Sequence, residues 1–396
     1  MNDFREVAVI LNLNKDYDRK IAVGISRYAH EAEDWRVYLE DDPSNKLPAL
    51  REWHGHGVVA DLDDERVLRS VRGLPIPVVG VGGFTGPALS SLGIAYVATD
   101  NVRIACLAVD HLLERGLRNF AYCGIPYSLY TSWAHEREQV FRARLKEAGF
   151  ACAVFRGRYR RPLHWDAMLD ELAAWLSRQP KPLGLMACSD SRARHVLLAC
   201  RRCSLNIPED VAILGVDNDH IMCEMVQPTL TSIEQGAEQI GYEAAGLLDR
   251  LMRTRRRDRN FRTVPPVGIV TRQSTDMQFL EDAEVVEALK FLQEHLADRI
   301  NAATLAKHVR LSRGMLDIRF RRAIGRSIHD EIQRMRLDVV RKLLATTDLP
   351  VKTIARRAGY SSVEYMTSDF HRAVGRTPGA YRRANSSRHP PAPPQD

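Results

Sequence analysis

Eight short apolar runs punctuate the first 275 residues: VAVILNL at 7–13, VYLE at 37–40, GVVADL at 57–62, PVVGV at 77–81, YVAT at 96–99, FAYCG at 120–124, GLMACS at 184–189 and VAILGV at 211–216. Helical stretches such as Arg19 to Ala32 and Ile104 to Arg115 fall between them. A strand that is apolar along its whole length must be covered on both faces, and helical crossovers supply that cover only for parallel strands. The pattern predicts an α/β region, and so many strands divide more easily between two sheets than they fit into one. In such sheets ligands sit beyond the carboxyl ends of the strands. Those ends carry Asn12, Asn14, Tyr17, Asp18 and Arg19, then Asp61, then Asp100 and Asn101, then Asp190 and Arg192, then Asp217, Asn218 and Asp219. Carboxylates accept from pairs of hydroxyls, amides and guanidinium groups bridge neighbouring oxygens, and an aromatic face such as Tyr17 or Trp133 covers the apolar side of a pyranose, so a sugar suits this set.

The last quarter of the chain is written differently. Phe320-Arg-Arg-Ala-Ile-Gly-Arg-Ser327 recurs as Phe370-His-Arg-Ala-Val-Gly-Arg-Thr377, and Thr304-Leu-Ala306 recurs as Thr353-Ile-Ala355. Each copy reads as a short helix, a tight turn and a second helix, over 304–308 and 313–323 in the first and 351–357 and 362–373 in the second. Ser312 and Ser362 suit the N-cap positions, and Gly325 and Gly375 suit the stops. Between the copies Ile328, Ile332, Met335, Val339 and Leu343 form one helical stripe, with Ser327 and Asp330 capping its start. Two helices joined by a three- or four-residue turn form the unit whose second helix enters the major groove, and a rod holding two such heads sets them one DNA turn apart. Charge agrees: residues 301–396 hold 19 Lys and Arg against 8 Asp and Glu, so the basic excess of a chain with net charge +7 lies entirely here. Concentrated positive charge on a compact segment is the footprint of duplex DNA binding.

Ile354-Ala355, Gly359-Tyr360-Ser361-Ser362, Tyr365, Phe370, Gly375, Thr377-Pro378 and Tyr381-Arg382 resemble the AraC family of bacterial transcription regulators over roughly the last hundred residues. The resemblance puts base-reading positions at Arg313, Gly314 and Asp317 in the first head and at Ser362, Val363, Glu364 and Ser368 in the second. Ser312, Ser361 and Thr367 complete the expected DNA-facing set. Arg321, Arg322 and Arg372 suit phosphates, which position a protein without specifying sequence. Many family members carry Arg where this chain has Ile318 and Ser368. The first 275 residues resemble the ribose-binding and LacI-type periplasmic-binding-protein fold. NKDYDR, GVGG, VATDN, WAHEREQVF, SDSRARH, GVDND, SIEQG and VPPV further resemble the bacterial xylose operon regulators, which join that fold to an AraC-type C-terminus. This resemblance implies sugar contacts at Asp100, Arg137, Asp190, Asp217 and Gln235, with Tyr17 and Arg19 near the mouth, and Ser189 replaces the more usual Asn.

The expected architecture is therefore a periplasmic-binding-protein-like two-lobed parallel-sheet domain over 1–277, an all-α double helix-turn-helix domain over 278–384, and a disordered tail over 385–396. The expected partners are double-stranded DNA, a small sugar effector such as D-xylose, a second copy of the chain and RNA polymerase, with no membrane. A sugar-binding receptor that does not regulate DNA, or a regulator for another sugar, would share the first domain. Neither a positively charged leader nor an apolar stretch of membrane-spanning length is found, which points to the cytoplasm. Seven scattered cysteines, with one CRRC at Cys200 to Cys203, fit unpaired thiols in a reducing compartment. Catalysis finds no support, because GVGGFTG at 80–86 carries Thr85 where GxGxxG needs its third glycine, and no P-loop or GxSxG appears. HGHG at 54–57 offers too few ligands for a metal, so no metal or cofactor is expected.

Overall fold

The computed structural model describes residues 4–43, 50, 52–83, 93–157, 165–254, 261–276, 282–298, 300–324, 326–347 and 349–385. The chain divides into two compact units, residues 1–112 with 117–277 and residues 113–116 with 278–396.

The first unit is built on two six-stranded sheets. One runs in the order β11-β5-β4-β3-β1-β2 and the other β12-β10-β9-β8-β6-β7. The strands are β1 Arg5–Ile10, β2 Trp35–Glu40, β3 Gly57–Asp61, β4 Val78–Gly82, β5 Ala95–Thr99, β6 Asn119–Cys123, β7 Cys152–Phe155, β8 Leu183–Ala187, β9 Val211–Val216, β10 Thr231–Glu234, β11 Phe261–Val264 and β12 Gly268–Val270. All pairings are parallel except β10 with β12. The eight apolar runs all became strands, and β3, β4, β5 and β8 are buried at every residue, as cover on both faces requires. β7, β10, β11 and β12 were not expected from the sequence. Each is only three or four residues long, and TSIE and FRTV carry no continuous apolar run. In the basic stretch RTRRRDRNFR, Arg253 and Thr254 finish a helix and Phe261 begins β11, while 255–260 lie outside the described residues.

Three segments carry the chain between the sheets: after Thr99, after Glu234, and between Val264 and Gly268. They are tied to one another, since Asp100 N–H donates to Val264 O (2.9 Å) and Val267 N–H donates to Glu234 O (2.8 Å). Helices Asp16–Ala32 and Ala237–Thr254 cover the first sheet together, burying Ile21, Ile25, Ile240, Ala244 and Leu248. Their backbones touch at two glycines. A Cβ on Gly24 would stand 1.9 Å from Glu238 O, and one on Gly241 would stand 2.0 Å from Ile21 O.

The second unit is all helix among its described residues: Ala283–His295, Ala302–His308, Arg313–Ile324, Ile328–Thr346, Val351–Arg357, Val363–Val374 and Pro378–Asn385, with one short 3-10 turn at Leu296–Asp298. It holds two separate cores. Leu316, Phe320, Ile324, Ile328 and Ile332 belong to the first; Leu344, Ile354, Tyr360, Met366 and Phe370 belong to the second. The repeated phenylalanines, both fully buried, therefore occupy matching positions in two small bundles that the helix Ile328–Thr346 joins. The expected caps are present: Ser312 accepts from Met315 N–H (3.2 Å), Ser362 from Tyr365 N–H (3.1 Å), and Ser327 with Asp330 closes a capping box. Gly375 ends its helix in the left-handed region at φ 73°. Gly325 and the tail from 386 lie outside the described residues.

Replacing Gly241 with Ala tests the glycine contact. Helix propensity alone would stabilise such a change by up to about 1 kcal/mol, but overpacking against a carbonyl oxygen costs about 1–3 kcal/mol. Steric conflict therefore wins, and Gly241→Ala lowers the urea midpoint of the lobed unit, followed by circular dichroism.

Candidate functional site

Arg137 is the centre of the first unit. It sits on helix Ser132–Glu147 and is 2 % exposed. Its Nε donates to Asn101 Oδ1 (2.8 Å), Nη1 to Cys188 O (2.7 Å) and Nη2 to Gln235 Oε1 (3.0 Å). Asn101 and Gln235 lie on two of the three crossing segments and Cys188 follows β8, so one guanidinium ties the second sheet to the hinge. A guanidinium carries five N–H donors, which leaves two of them without an acceptor among the described residues. Trp133 lies beneath it, with the guanidinium carbon 4.8 Å from the ring centroid. One face of Trp133 is thus taken by a protein cation.

Beyond β9 the backbone is strained: Asp217 and Asn218 have φ of 123° and 49°. Such conformations cost a non-glycine residue about 1–3 kcal/mol each and persist only where neighbours hold them. Here Asp217 N–H donates to Ile233 O (3.0 Å), Asn218 N–H donates to Ser232 Oγ (3.0 Å), and Lys20 Nζ donates to the carbonyls of Asp217 (3.2 Å) and Asn218 (3.0 Å). Lys20 belongs to the helix after β1, so this contact spans the two lobes. Gln235 Nε2 donates to Asp217 Oδ1 (2.6 Å), and burial lifts Asp217 to about 6 although Arg137 pulls it down. Asn218 Oδ1 accepts from Arg272 (3.0 Å).

Asp190, expected at the sugar, has a different setting. It is fully buried, and its oxygens accept from Ser232 Oγ (2.6 Å), Asp219 N–H (2.9 Å) and Cys223 Sγ (3.4 Å). Burial holds its carboxyl well above the usual range, with Asp217 adding to the rise. Ser189 caps the helix that Asp190 begins, accepting from Arg192 N–H. Asp100 likewise accepts from Arg103 N–H (2.9 Å) at a helix start. Arg19 donates to Leu13 O (2.7 Å) and pairs with Asp16 (3.3 Å).

At the carboxyl ends of β1 and β3 three carboxylates gather. Lys15 Nζ donates to Asp61 Oδ2 (2.9 Å), Asp63 N–H to Asp61 Oδ1 (2.9 Å), Gly83 N–H to Asp63 Oδ2 (2.9 Å) and Asn12 N–H to Asp18 Oδ2 (2.9 Å). Burial and then Asp61 push Asp63 up to about 7, and burial raises Asp18 strongly. Asp61 raises Lys15 in turn. Tyr17 OH lies 2.8 Å from Thr99 Oγ1, and burial keeps it protonated. Asp18 Oδ1 and Asp63 Oδ1 are buried without a hydrogen-bond partner among the described residues. A buried acceptor without a donor is costly, and a ligand hydroxyl would satisfy it. Lys15, Lys20 and Asp63 were not singled out in the sequence; Asp63 stands two residues past a strand-end Asp, the one cue that could have found it.

No group of three or more His, Cys, Asp or Glu fit for a metal occurs among the described residues. HGHG resolves as a strand entry in which His56 Nδ1 accepts from Glu6 N–H (2.9 Å). All seven cysteines are free.

In the second unit Arg313, Gly314, Arg321 and Arg322 are exposed on Arg313–Ile324, and Ser361, Ser362, Glu364, Ser368 and Arg372 on or beside Val363–Val374. Thr367 and Val363 are half-buried, and Val363 packs on the second core. Asp317, expected to read a base, is committed elsewhere: it accepts from Ile328 N–H (3.0 Å) and Arg321 Nε (2.9 Å), and Arg321 holds its carboxyl below the usual range. Arg372 pairs with the buried Asp369 (2.6 Å).

Three family models match along the chain: a XylR N-terminal domain over 6–102, a periplasmic binding protein-like domain over 109–275 and a helix-turn-helix domain over 305–384. The chain is 34 % identical over 381 residues to the xylose operon regulatory protein of Escherichia coli K12, covering 96 % of this chain and 97 % of that one. It is 30 % identical over 380 residues to the protein of the same name from Haemophilus influenzae, covering 96 % and 98 %. Among solved structures it resembles the xylose-binding transcription activator xylR, with a TM-score of 0.64, 34 % identity, and coverage of 96 % and 98 %.

The raised carboxyl of Asp63 has a thermodynamic consequence. Its folded value lies above the unfolded 3.8, so its contribution to stability is full below about pH 3.8 and is lost as pH rises through about 7. Asp63→Asn removes that dependence. The variant melts several degrees above the parent at pH 8, and in thermal scans the gap narrows as pH falls below about 7 and closes only near pH 3.8.

Proposed function

The chain belongs to the family of xylose operon regulatory proteins, and from that membership we infer that it is a xylose-responsive transcription regulator that binds DNA through its helix-turn-helix unit. We propose further that it activates pentose-catabolic genes, that D-xylose lies between the two lobes of the first unit, and that the chain works as a cytoplasmic homodimer with RNA polymerase as its partner on the promoter. Among the described residues no helix is long and apolar enough to cross a membrane.

One observation carries the sugar reading: among the described residues, the strand-end region holds donors and acceptors left without partners. Two N–H groups of Arg137 and the free oxygens of Asp18 and Asp63 need partners that vicinal hydroxyls supply. Arg137 lowers the carboxyls of both Asp63 and Asp217, so these groups share one electrostatic environment. Asp217, Gln235 and Tyr17 border it. Asp190 and Asp100 are positioning residues in this scheme, because they hold Asp217's neighbours and a helix start rather than offering every oxygen to a ligand. Lys20, bonded across the lobes to Asp217 and Asn218, would favour the closed arrangement. A sugar that binds one arrangement better shifts the population toward it.

Calorimetric titration with D-xylose, L-arabinose, D-ribose and D-glucose tests the effector, and binding of D-xylose alone is the expected result. Asp217→Asn weakens that binding at least tenfold while leaving salt-dependent DNA binding intact; loss of both would refute the division of labour between the units. Arg372→Ala weakens binding to all DNA sequences alike and reduces the slope of log affinity against log salt by about 1.

A further inference from the structure

Helix Arg313–Ile324 turns an apolar patch outward. Ile318 is 64 % exposed and Met315 49 % exposed, while Leu316, Phe320 and Ile324 on the opposite side are buried in the first core. Gly314 and Ile318, four residues apart, share the outward stripe, which continues to Arg321 and Arg322. A Cβ on Gly314 would meet nothing within 4 Å, so packing does not require glycine there. The patch is bordered by cations, with Arg313 before it and Arg321 and Arg322 after it. Asp317, the acid on this stretch, is held by Ile328 N–H and Arg321 and is not offered to a base.

The second head differs at matching positions. Glu364 stands where the first has Gly314, and Ser368 where the first has Ile318; both are exposed. The two heads are equivalent in core and caps but carry opposite chemistry on their outward faces.

We propose that the first head reads thymine through its C5-methyl group, with Ile318 as the contact residue, and that Gly314 lets the base edge approach the helix. This rests on the DNA-binding reading above. The thymine methyl is the apolar feature of the major-groove edge, and an aliphatic side chain between phosphate-binding arginines is the complement to it. The second head, with Glu364 and Ser368, takes hydrogen-bonding edges instead, Glu364 accepting from a cytosine amino group. The two half-sites therefore differ in sequence although the heads are repeats.

The test uses the full chain with D-xylose present. Duplexes retained from a random-sequence library are resynthesised with deoxyuridine in place of thymidine, which removes only the methyl group. The parent chain should bind the deoxyuridine duplex about fourfold more weakly for each methyl contacted, the loss expected for one buried methylene-sized group. Ile318→Ala should bind both duplexes equally, whereas Ser368→Ala should keep the full deoxyuridine penalty. The proposal is overturned if the parent ignores the substitution, or if Ile318→Ala remains as sensitive as the parent, in which case the patch serves a protein contact. Failure to retain any duplex would instead bring down the DNA-binding reading and this inference with it. Ile318 is exposed, so its replacement leaves the fold intact, and circular dichroism of the variant checks this.

Discussion

A guanidinium removed from water is tolerable only if acceptors meet it, and Arg137 imposes that condition on the whole first unit. Its three acceptors come from Asn101, Cys188 and Gln235, residues separated by as much as 134 positions in the chain. Two of them belong to the segments that join the sheets. The β5 exit, the β8 end and the β10 exit must therefore arrive together, or a buried charge is left unpaired at a cost of several kcal/mol. Asp217 hangs from the same network through Gln235, and the strained backbone at 217–218 is held by Ser232 and Lys20. The proposed effector site is thus a by-product of satisfying one cation, which explains why its polar groups are fixed yet incompletely paired.

The second unit solves a different problem. A hundred residues of short helices bury little surface each, so the unit relies on two small cores sharing one long helix and on well-formed ends. Ser312, Ser327 and Ser362 each accept a backbone N–H at a helix start, a contribution of about 1 kcal/mol apiece. Ser312 and Ser362 also open the two helices proposed to meet DNA. Capping and recognition compete for residues there, and capping has taken Asp317 and the hydroxyl of Ser362. Fewer side chains are left to read bases, which raises the weight of Arg313, Ile318, Glu364 and Ser368.

Much of this was legible in the chain. Continuous apolar runs identified eight strands, seven of them because burial on both faces writes itself into composition, while β2 is an edge strand exposed over most of its length. The repeated Phe-x-Arg-Ala-x-Gly-Arg phrase exposed the double head because each copy needs its own phenylalanine, cap and stop. Short strands such as β10 and β12 escaped because three or four residues between polar neighbours carry no period. Around the proposed effector site, strand-end logic singled out Asp18, Asp61 and Asp217, and resemblance added Arg137 and Gln235. It missed Lys15, Lys20 and Asp63, whose importance lies in partners contributed by other strands. It also gave Asp190 and Asp317 the same standing as their neighbours, although Asp190 already accepts three internal hydrogen bonds and Asp317 two.

By itself the sequence determined the two architectures, the boundary in texture between them, the location of the positive charge, and the residue types available at each strand end, because all of these follow from local periodicity and chemistry. Only the tertiary structure decided which polar groups are spent and which remain to be used. Hydrogen-bond satisfaction is a property of neighbours far apart in the chain: both oxygens of Asp190 accept from Ser232 and Asp219, while Asp18 and Asp63 each keep an oxygen without a partner among the described residues. Exposure has the same origin, and it separates Ile318, turned outward, from Leu316 and Phe320, which an apolar count would have treated alike.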